Sequence, residues 1–258
     1  MLRAPIKLNP KDFPKRLQGL VDGCAVYDSS CSPEARVIYV ERDGGYFLKR
    51  SAPESLKKEA EMTAHFHSLG LSCEVLDYFT EDFDWLLTKR IPGEDLTHYT
   101  DRPTWLCDRL AELLCELHGR KADGCPIRNR TKDYLSTAQR NYEKGIFDRS
   151  LFPDIPFKSA DEAMRFIESN CDSLEENTLI HGDYCLPNVI MNGDTFSGFI
   201  DLGGGGVGDR HIDIFWGAWT LNFNLKTDRY RERFYDAYGR DKIDTDRLRL
   251  ISTIELFG

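Results

Sequence analysis

The hydrophobic period of this chain changes once, at Pro92-Gly93, and that change limits it to folds with a strand-built first part and a helix-built second part. Before the break the apolar runs are short. Val37–Val40 and Tyr46–Lys49 flank Glu41-Arg42-Asp43-Gly44-Gly45, which predicts a hairpin. Ser51 and Pro53 predict the start of a helix with Leu56, Ala60, Thr63, Phe66 and Leu69 on one face and Gly70 as its stop. Val75–Phe79 and Asp84–Thr88 predict a second hairpin. After the break, Leu106, Leu110, Leu113, Leu114 and Leu117 recur at helical spacing between Pro103 and Gly119. Ser159 with Glu162 predicts a capping box. Short strands return at Thr178–Ile180, Val189–Met191 and Phe196–Asp201 before the chain ends in helix. The fold class expected is α+β, with two lobes. Residues 1–90 form a small β-rich lobe with one main helix, and residues 91–258 a larger, mostly helical one.

Composition removes several functions. With 34 Lys and Arg against 43 Asp and Glu, the net charge is −9, a poor match to a nucleic-acid backbone and a better one to a cationic small molecule. No apolar run is long enough to span a membrane, and the N-terminal residues lack the apolar core of a signal peptide, so a cytoplasmic protein is expected. No obligate protein partner is evident. None of the eight cysteines forms a C-x-x-C pair, which predicts free structural thiols rather than zinc or disulfides.

The densest polar cluster is His181-Gly182-Asp183-Tyr184-Cys185-Leu186-Pro187-Asn188, followed by Asp201 at the exit of an apolar strand. Two carboxylates and an amide make a hard oxygen set that suits Mg²⁺ with a nucleotide phosphate, while a plain turn would also use Asp183 and Asn188. Lys49 ends an apolar strand and Glu59 or Glu61 follows on the next helix. A strand lysine paired with a helix glutamate holds nucleotide phosphates in protein kinases, and the spacing does not decide between the two glutamates. Gly203, Gly205 and Gly208 match a dinucleotide fingerprint, but no alternating strands and helices follow to build the sheet, and there is no Walker motif.

HGDYCLPN, FSGFIDLG, Asp213 in HIDIFW and the closing IELF resemble the aminoglycoside phosphotransferases, and among them most nearly the aminoglycoside 3′-phosphotransferases. The resemblance runs from the Ser32 region to Phe257. It implies a protein-kinase-like fold and an ATP- and Mg²⁺-dependent transfer of the γ-phosphoryl group to an aminoglycoside hydroxyl, the 3′-hydroxyl in particular, giving antibiotic resistance. Asp183 would then accept the proton of the attacking hydroxyl, and Asn188 and Asp201 would hold Mg²⁺. Lys49 with Glu59 would fix the α and β phosphates. Ser32 would lie in the nucleotide-covering loop, Phe47 would stack on the adenine, and the Lys89-Arg90-Ile91 backbone would meet its edge. Glu255, Asp148 and Asp154 would line the acceptor site with carboxylates. One position departs from the pattern. Relatives usually carry an arginine that faces the phosphates where this chain has Gly204, with Arg210 further on, so a weaker electrostatic stabilisation is expected if nothing replaces it. A kinase of another small hydroxyl metabolite and a weakly active nucleotide-binding homologue are the alternatives.

Overall fold

The computed structural model describes residues 4–31, 33, 35–150 and 155–258. In chain order it begins with β1 (Ala4–Pro5), α1 (Lys15–Val21), β2 (Ala25–Asp28), β3 (Ala35–Glu41) and β4 (Tyr46–Ser51). Then come α2 (Lys57–Ser68), β5 (Val75–Thr80), β6 (Asp84–Lys89), β7 (Glu94–Asp95), α3 (Pro103–His118), α4 (Arg130–Glu143) and α5 (Ala160–Asn170). The rest is β8 (Thr178–Ile180), β9 (Val189–Asn192), β10 (Thr195–Phe199), β11 (Gly206–Gly208), α6 (His211–Leu225), α7 (Arg231–Tyr238) and α8 (Thr245–Ile254). The α+β expectation holds.

The chain forms two compact units, Met1–Leu96 with Pro187–Gly203, and Thr97–Leu186 with Gly204–Gly258. The sequence reading drew one boundary at residue 90; the first unit instead continues to Leu96 and takes back a hairpin from far along the chain. Backbone contacts explain the return. Phe199 donates its N–H to the Leu71 carbonyl at 2.8 Å, and the Ser72 hydroxyl donates to the Phe199 carbonyl at 2.7 Å. β7 pairs with β9, and a Cβ on Gly93 would sit 2.1 Å from the Met191 carbonyl oxygen, so only glycine lets the chain pass.

The first unit is built on an antiparallel sheet in the order β1-β2-β3-β4-β6-β5. Both predicted hairpins are present, β3 with β4 and β5 with β6, but β6 lies between β4 and β5. On β4 the side chains alternate. Leu48 is buried with Trp85, Ile38 and Val26, while Phe47 and Lys49 share the other face. The helix predicted from Ser51 and Pro53 starts later, at Lys57. Asp84 is the cause: buried on β6, its carboxylate accepts the Leu56 N–H at 2.9 Å, as well as the Thr80 and Tyr78 hydroxyls. The preceding residues make turns, with Glu54 at φ 65°.

The second unit is mostly helical, and α5, α6 and α8 share an apolar cluster. Met164 and Ile167 of α5, Ile212 of α6, and Ile251 and Ile254 of α8 meet Phe257 there. The leucine stripe forms α3 as expected, with Gly119 at its C-cap. Ser159 accepts the Glu162 N–H at 3.2 Å, while the Glu162 carboxylate reaches back to the Lys158 N–H at 3.1 Å, one residue earlier than a standard capping box. Helix α4 was not foreseen. Its sequence is polar, and only Thr131 and Ala138 are buried. Strands β8 and β11 pair as a two-stranded ladder. All eight cysteines are free. No helix among the described residues is long and apolar enough to cross a membrane.

Candidate active site

In the first unit, strand β4 and helix α2 bring Lys49 to Glu59, Nζ to Oε2 at 2.7 Å, which settles the choice that spacing left open. Asp201 adds its Oδ1 to the same ammonium at 2.9 Å. Burial alone would lower the Lys49 pKa, but the two carboxylates outweigh it and hold the group protonated above the usual lysine value. Asp201 lies just past the end of β10, which stops at Phe199 rather than at the predicted Asp201, and its φ is 58°. This left-handed geometry, tolerated by aspartate, turns the chain sharply before Leu202–Gly204. Asn188 is buried, and its carbonyl accepts the N–H of Ile200, the residue before Asp201. So Lys49, Glu59 and Asp201 are in direct contact, with Asn188 bonded to the same strand exit.

Other expected nucleotide residues lie on the same sheet. Phe47 packs on Tyr39 with ring centroids 5.2 Å apart, on the Lys49 face of β4. The Lys89 N–H donates to the Glu74 carbonyl at 3.0 Å and the Arg90 N–H to the Gly45 carbonyl at 2.9 Å. The Ile91 side chain packs where a Cβ on Gly198 would fall, 2.8 Å from its Cδ1. Ser32 lies outside the described residues, as does Asp154.

In the second unit, the loop after β8 is held from several sides. The Asp213 carboxylate, wholly buried, accepts the His181 N–H and the Gly182 N–H, both at 2.7 Å, and faces His118 Nε2 at 3.1 Å. Burial keeps His118 below its usual pKa and neutral, so Nε2–H donates to Asp213 and Nδ1 accepts the Tyr238 hydroxyl at 2.8 Å. Tyr184 anchors the loop through a hydroxyl bond to the Leu110 carbonyl at 2.8 Å, and the Leu186 N–H donates to the Thr220 hydroxyl at 3.2 Å. Asp183 sits between these anchors, half-buried. Of the supports outside the loop itself, Asp213 was marked in the sequence, and without a role. His118, Tyr238 and Thr220 gave no signal there, because each bonds across a long stretch of chain.

The glycine at 204 has a structural reason. Gly182 has φ 82°, and a Cβ there would lie 1.8 Å from the Gly204 carbonyl oxygen. A Cβ at 204 would in turn lie 2.9 Å from the Gly182 carbonyl. The two backbones touch, so a larger residue at 204 requires this contact to open. Arg210 bonds the Thr178 hydroxyl at 3.4 Å and lies against the Tyr238 hydroxyl.

Glu255 follows α8. Its Oε1 accepts the Tyr134 hydroxyl at 2.5 Å and the Trp216 indole N–H at 2.9 Å. Burial pushes its pKa up to about 7; these two donors and the Arg130 charge pull it down, and the negative charge of Asp183 adds to the rise. Glu255 and Asp183 therefore feel each other. The Asp148 carboxylate accepts from the Ser150 N–H and hydroxyl, at 2.7 and 2.9 Å, and so closes its own turn. Its backbone N–H bonds the Leu256 carbonyl at 2.8 Å, next to Glu255.

The phosphotransferase enzyme family matches residues 33–251. The chain is 44% identical over 256 residues to a probable aminoglycoside 3′-phosphotransferase of Lactococcus lactis subsp. lactis, with 98% of each chain covered. It is 31% identical over 176 residues to an aminoglycoside 3′-phosphotransferase of Niallia circulans, covering 67% of each. Its fold is that of a crystallised aminoglycoside-3′-phosphotransferase of type VIII, at TM-score 0.81 and 23% identity, over 96% of this chain and 98% of the other. The α+β fold is thus the protein-kinase-like one, and the chain belongs to the aminoglycoside phosphotransferases of the phosphotransferase enzyme family.

Proposed function

We propose that the chain is an ATP-dependent O-phosphotransferase that moves the γ-phosphoryl group to an aminoglycoside hydroxyl, the 3′-hydroxyl by the names of its relatives, and so confers resistance in the cytoplasm. The observation that carries this reading is the Lys49 ammonium held by Glu59 and Asp201. A cation fixed in that way is ready to meet the α and β phosphates without reorganising. Phe47, on the same face of β4, would offer a ring to the adenine. With the Lys89 and Arg90 N–H groups already engaged, the base edge would bond the Lys89 carbonyl and the Ile91 N–H.

Asn188 and Asp201 fit Mg²⁺. They supply hard oxygens, and the Asp201 side chain is 51% exposed, so its carboxylate stays reachable while it bonds Lys49. Among the described residues no cluster of three His, Cys, Asp or Glu forms a self-sufficient metal site, which suits an ion that arrives with the nucleotide. When bound, Mg²⁺ would neutralise charge on the phosphates. Asp183 would orient the acceptor hydroxyl and take its proton, and Glu255 would face an acceptor ammonium.

The defining experiment is ADP release measured across a panel of aminoglycosides, with the product position read from phosphorus–proton coupling. Aminoglycoside-dependent release with phosphate on the 3′-oxygen is expected. ATP binding with no such release, and turnover on a neutral hydroxyl compound instead, would reject the acceptor assignment. Replacing Asp201 by Asn should raise the Mg²⁺ needed for half-maximal rate by roughly tenfold, because an anionic ligand is lost. An unchanged requirement would place the metal elsewhere. Glu255→Gln should raise acceptor KM by about fivefold or more and leave the KM for ATP unchanged. The pH dependence has a definite sign. Since the Glu255 pKa is about 7, the carboxylate gains its charge as pH rises from 6 to 8, and acceptor KM should fall over that interval in the parent more than in the Gln variant. Parallel profiles would remove Glu255 from acceptor binding.

A further inference from the structure

The first turn of α4 lies on β11. The Val207 N–H donates to the Ile127 carbonyl at 2.8 Å, and the Thr131 hydroxyl accepts the Asp209 N–H at 3.0 Å while donating to the Glu175 carbonyl at 2.9 Å. Between these anchors stands Arg130, the first residue of α4. A Cβ on Gly206 would lie 3.2 Å from the Arg130 Cβ, and one on Gly208 would lie 3.3 Å from it. The two glycines share one face of the strand, and the arginine stem rests on it. β11 pairs with β8, with Gly206 opposite Ile180, and the residue after Ile180 opens the loop that carries Asp183. Arg130 is thus fixed one strand away from that loop.

Burial pulls the Arg130 pKa below the usual arginine value, against the charges of Asp133, Tyr134, Glu255 and Asp213, and the group stays protonated. No described carboxylate bonds it. Asp213 is engaged by the His181 and Gly182 N–H groups and by His118, and Glu255 by Tyr134 and Trp216. Glu255 feels the charges of both Arg130 and Asp183, so the three groups share one neighbourhood. A guanidinium left unbonded there keeps its fork of donors for an anion that arrives. An aminoglycoside brings ammonium groups, which it would repel. The anion that reaches Asp183 in phosphoryl transfer is the transferring group itself, with charge spread over its three equatorial oxygens. On the phosphotransferase reading, we propose that Arg130 is a catalytic residue whose guanidinium binds the phosphoryl group as it passes to the hydroxyl oriented by Asp183. The acceptor oxygen bonds the γ-phosphorus as the bond to the bridging oxygen breaks, ADP leaves with that electron pair, and the hydroxyl proton goes to Asp183. Arg130 donates hydrogen bonds to the non-bridging oxygens and neither gives up a proton nor forms a covalent bond.

The test compares the full chain with its Arg130→Gln variant in the presence of Mg²⁺. In the variant kcat should fall about a hundredfold, with the KM for ATP within about twofold and the acceptor KM unchanged or lower. ADP with fluoroaluminate, a mimic of the phosphoryl group in flight, should bind the parent about tenfold or more tighter than ADP alone, and the variant should lose that gain. Dilute guanidinium chloride should restore part of the rate to Arg130→Ala and none to the parent, which a purely structural role would not allow. Arg130→Lys keeps the stem on β11 and the charge but not the fork, so its rate should fall between; it carries the comparison if the Gln variant melts lower than the parent. A raised acceptor KM with kcat intact would make Arg130 a partner of Glu255 and overturn the proposal. So would a fluoroaluminate gain that is absent from the parent or survives the substitution. A parent inactive on every aminoglycoside would reject the acceptor reading alone, because the fluoroaluminate comparison needs no acceptor.

Discussion

Replacing Asp183 by Ala is expected to lower kcat by two to four orders of magnitude while the KM for ATP stays within about twofold. The loop around it has anchors besides its carboxylate. Asp213 holds the His181 and Gly182 amides, and Tyr184 and Leu186 are tied to Leu110 and Thr220. The residues proposed for ATP, Lys49 and Glu59 with Phe47, belong to the first compact unit, and Asp183 belongs to the second. Nucleotide affinity should therefore survive and proton transfer should not. Asp183→Asn keeps the shape and loses the basicity, so it should fail nearly as badly. A second readout comes from Glu255. The Asp183 charge helps to raise the Glu255 pKa, so its removal should move that pKa down and shift the pH dependence of acceptor binding to lower pH. Equal losses in ATP affinity and turnover would assign Asp183 to structure.

The sequence exposed the parts of this protein that rest on local rules. Hairpins β3–β4 and β5–β6 follow from period-two runs around turn residues, and α3 from its leucine spacing. Polar α4 was missed although Thr131, Tyr134, Leu135, Ala138 and Tyr142 recur at helical spacing, because that stripe is thin among polar residues and only two of its members are fully buried. The start of α2 was misplaced for a different reason: the Leu56 amide at its N-cap is held by Asp84 of β6, 28 positions away, a bond no local pattern encodes. The candidate site divides in the same way. Asp183, Asn188 and Asp201 were legible because polar residues crowd between short apolar strands. The choice of Glu59 over Glu61 needed the fold, since both lie on one helix and only the strand beside it shows which meets Lys49. The glycine at 204 read as a loss of charge. In three dimensions it is one side of a backbone contact with Gly182, which places it with the architecture of the loop.

The second large effect should come from a residue that touches no substrate. Asp213→Ala would strand the His181 and Gly182 N–H groups, both now bonded at 2.7 Å, and would take the acceptor from His118 Nε2–H in a fully buried setting. Breaking a buried carboxylate network from one side costs about 3–5 kcal/mol, since the remaining partners are left unsatisfied. For a chain of this length that corresponds to a fall in Tm of roughly 6–20 °C. Asp213→Asn separates stability from loop positioning. Its amide oxygen can keep one of the two backbone bonds, while its NH₂ group must face the other donor, so the Asn variant should fold but let the His181-Gly182 turn relax. Its ATP affinity should remain near the parent value while turnover falls, because the loop that aims Asp183 has lost one of its two clamps. A variant with unchanged Tm and unchanged turnover would show that the three donors find other partners, and that the loop is held by Tyr184 and Leu186 alone.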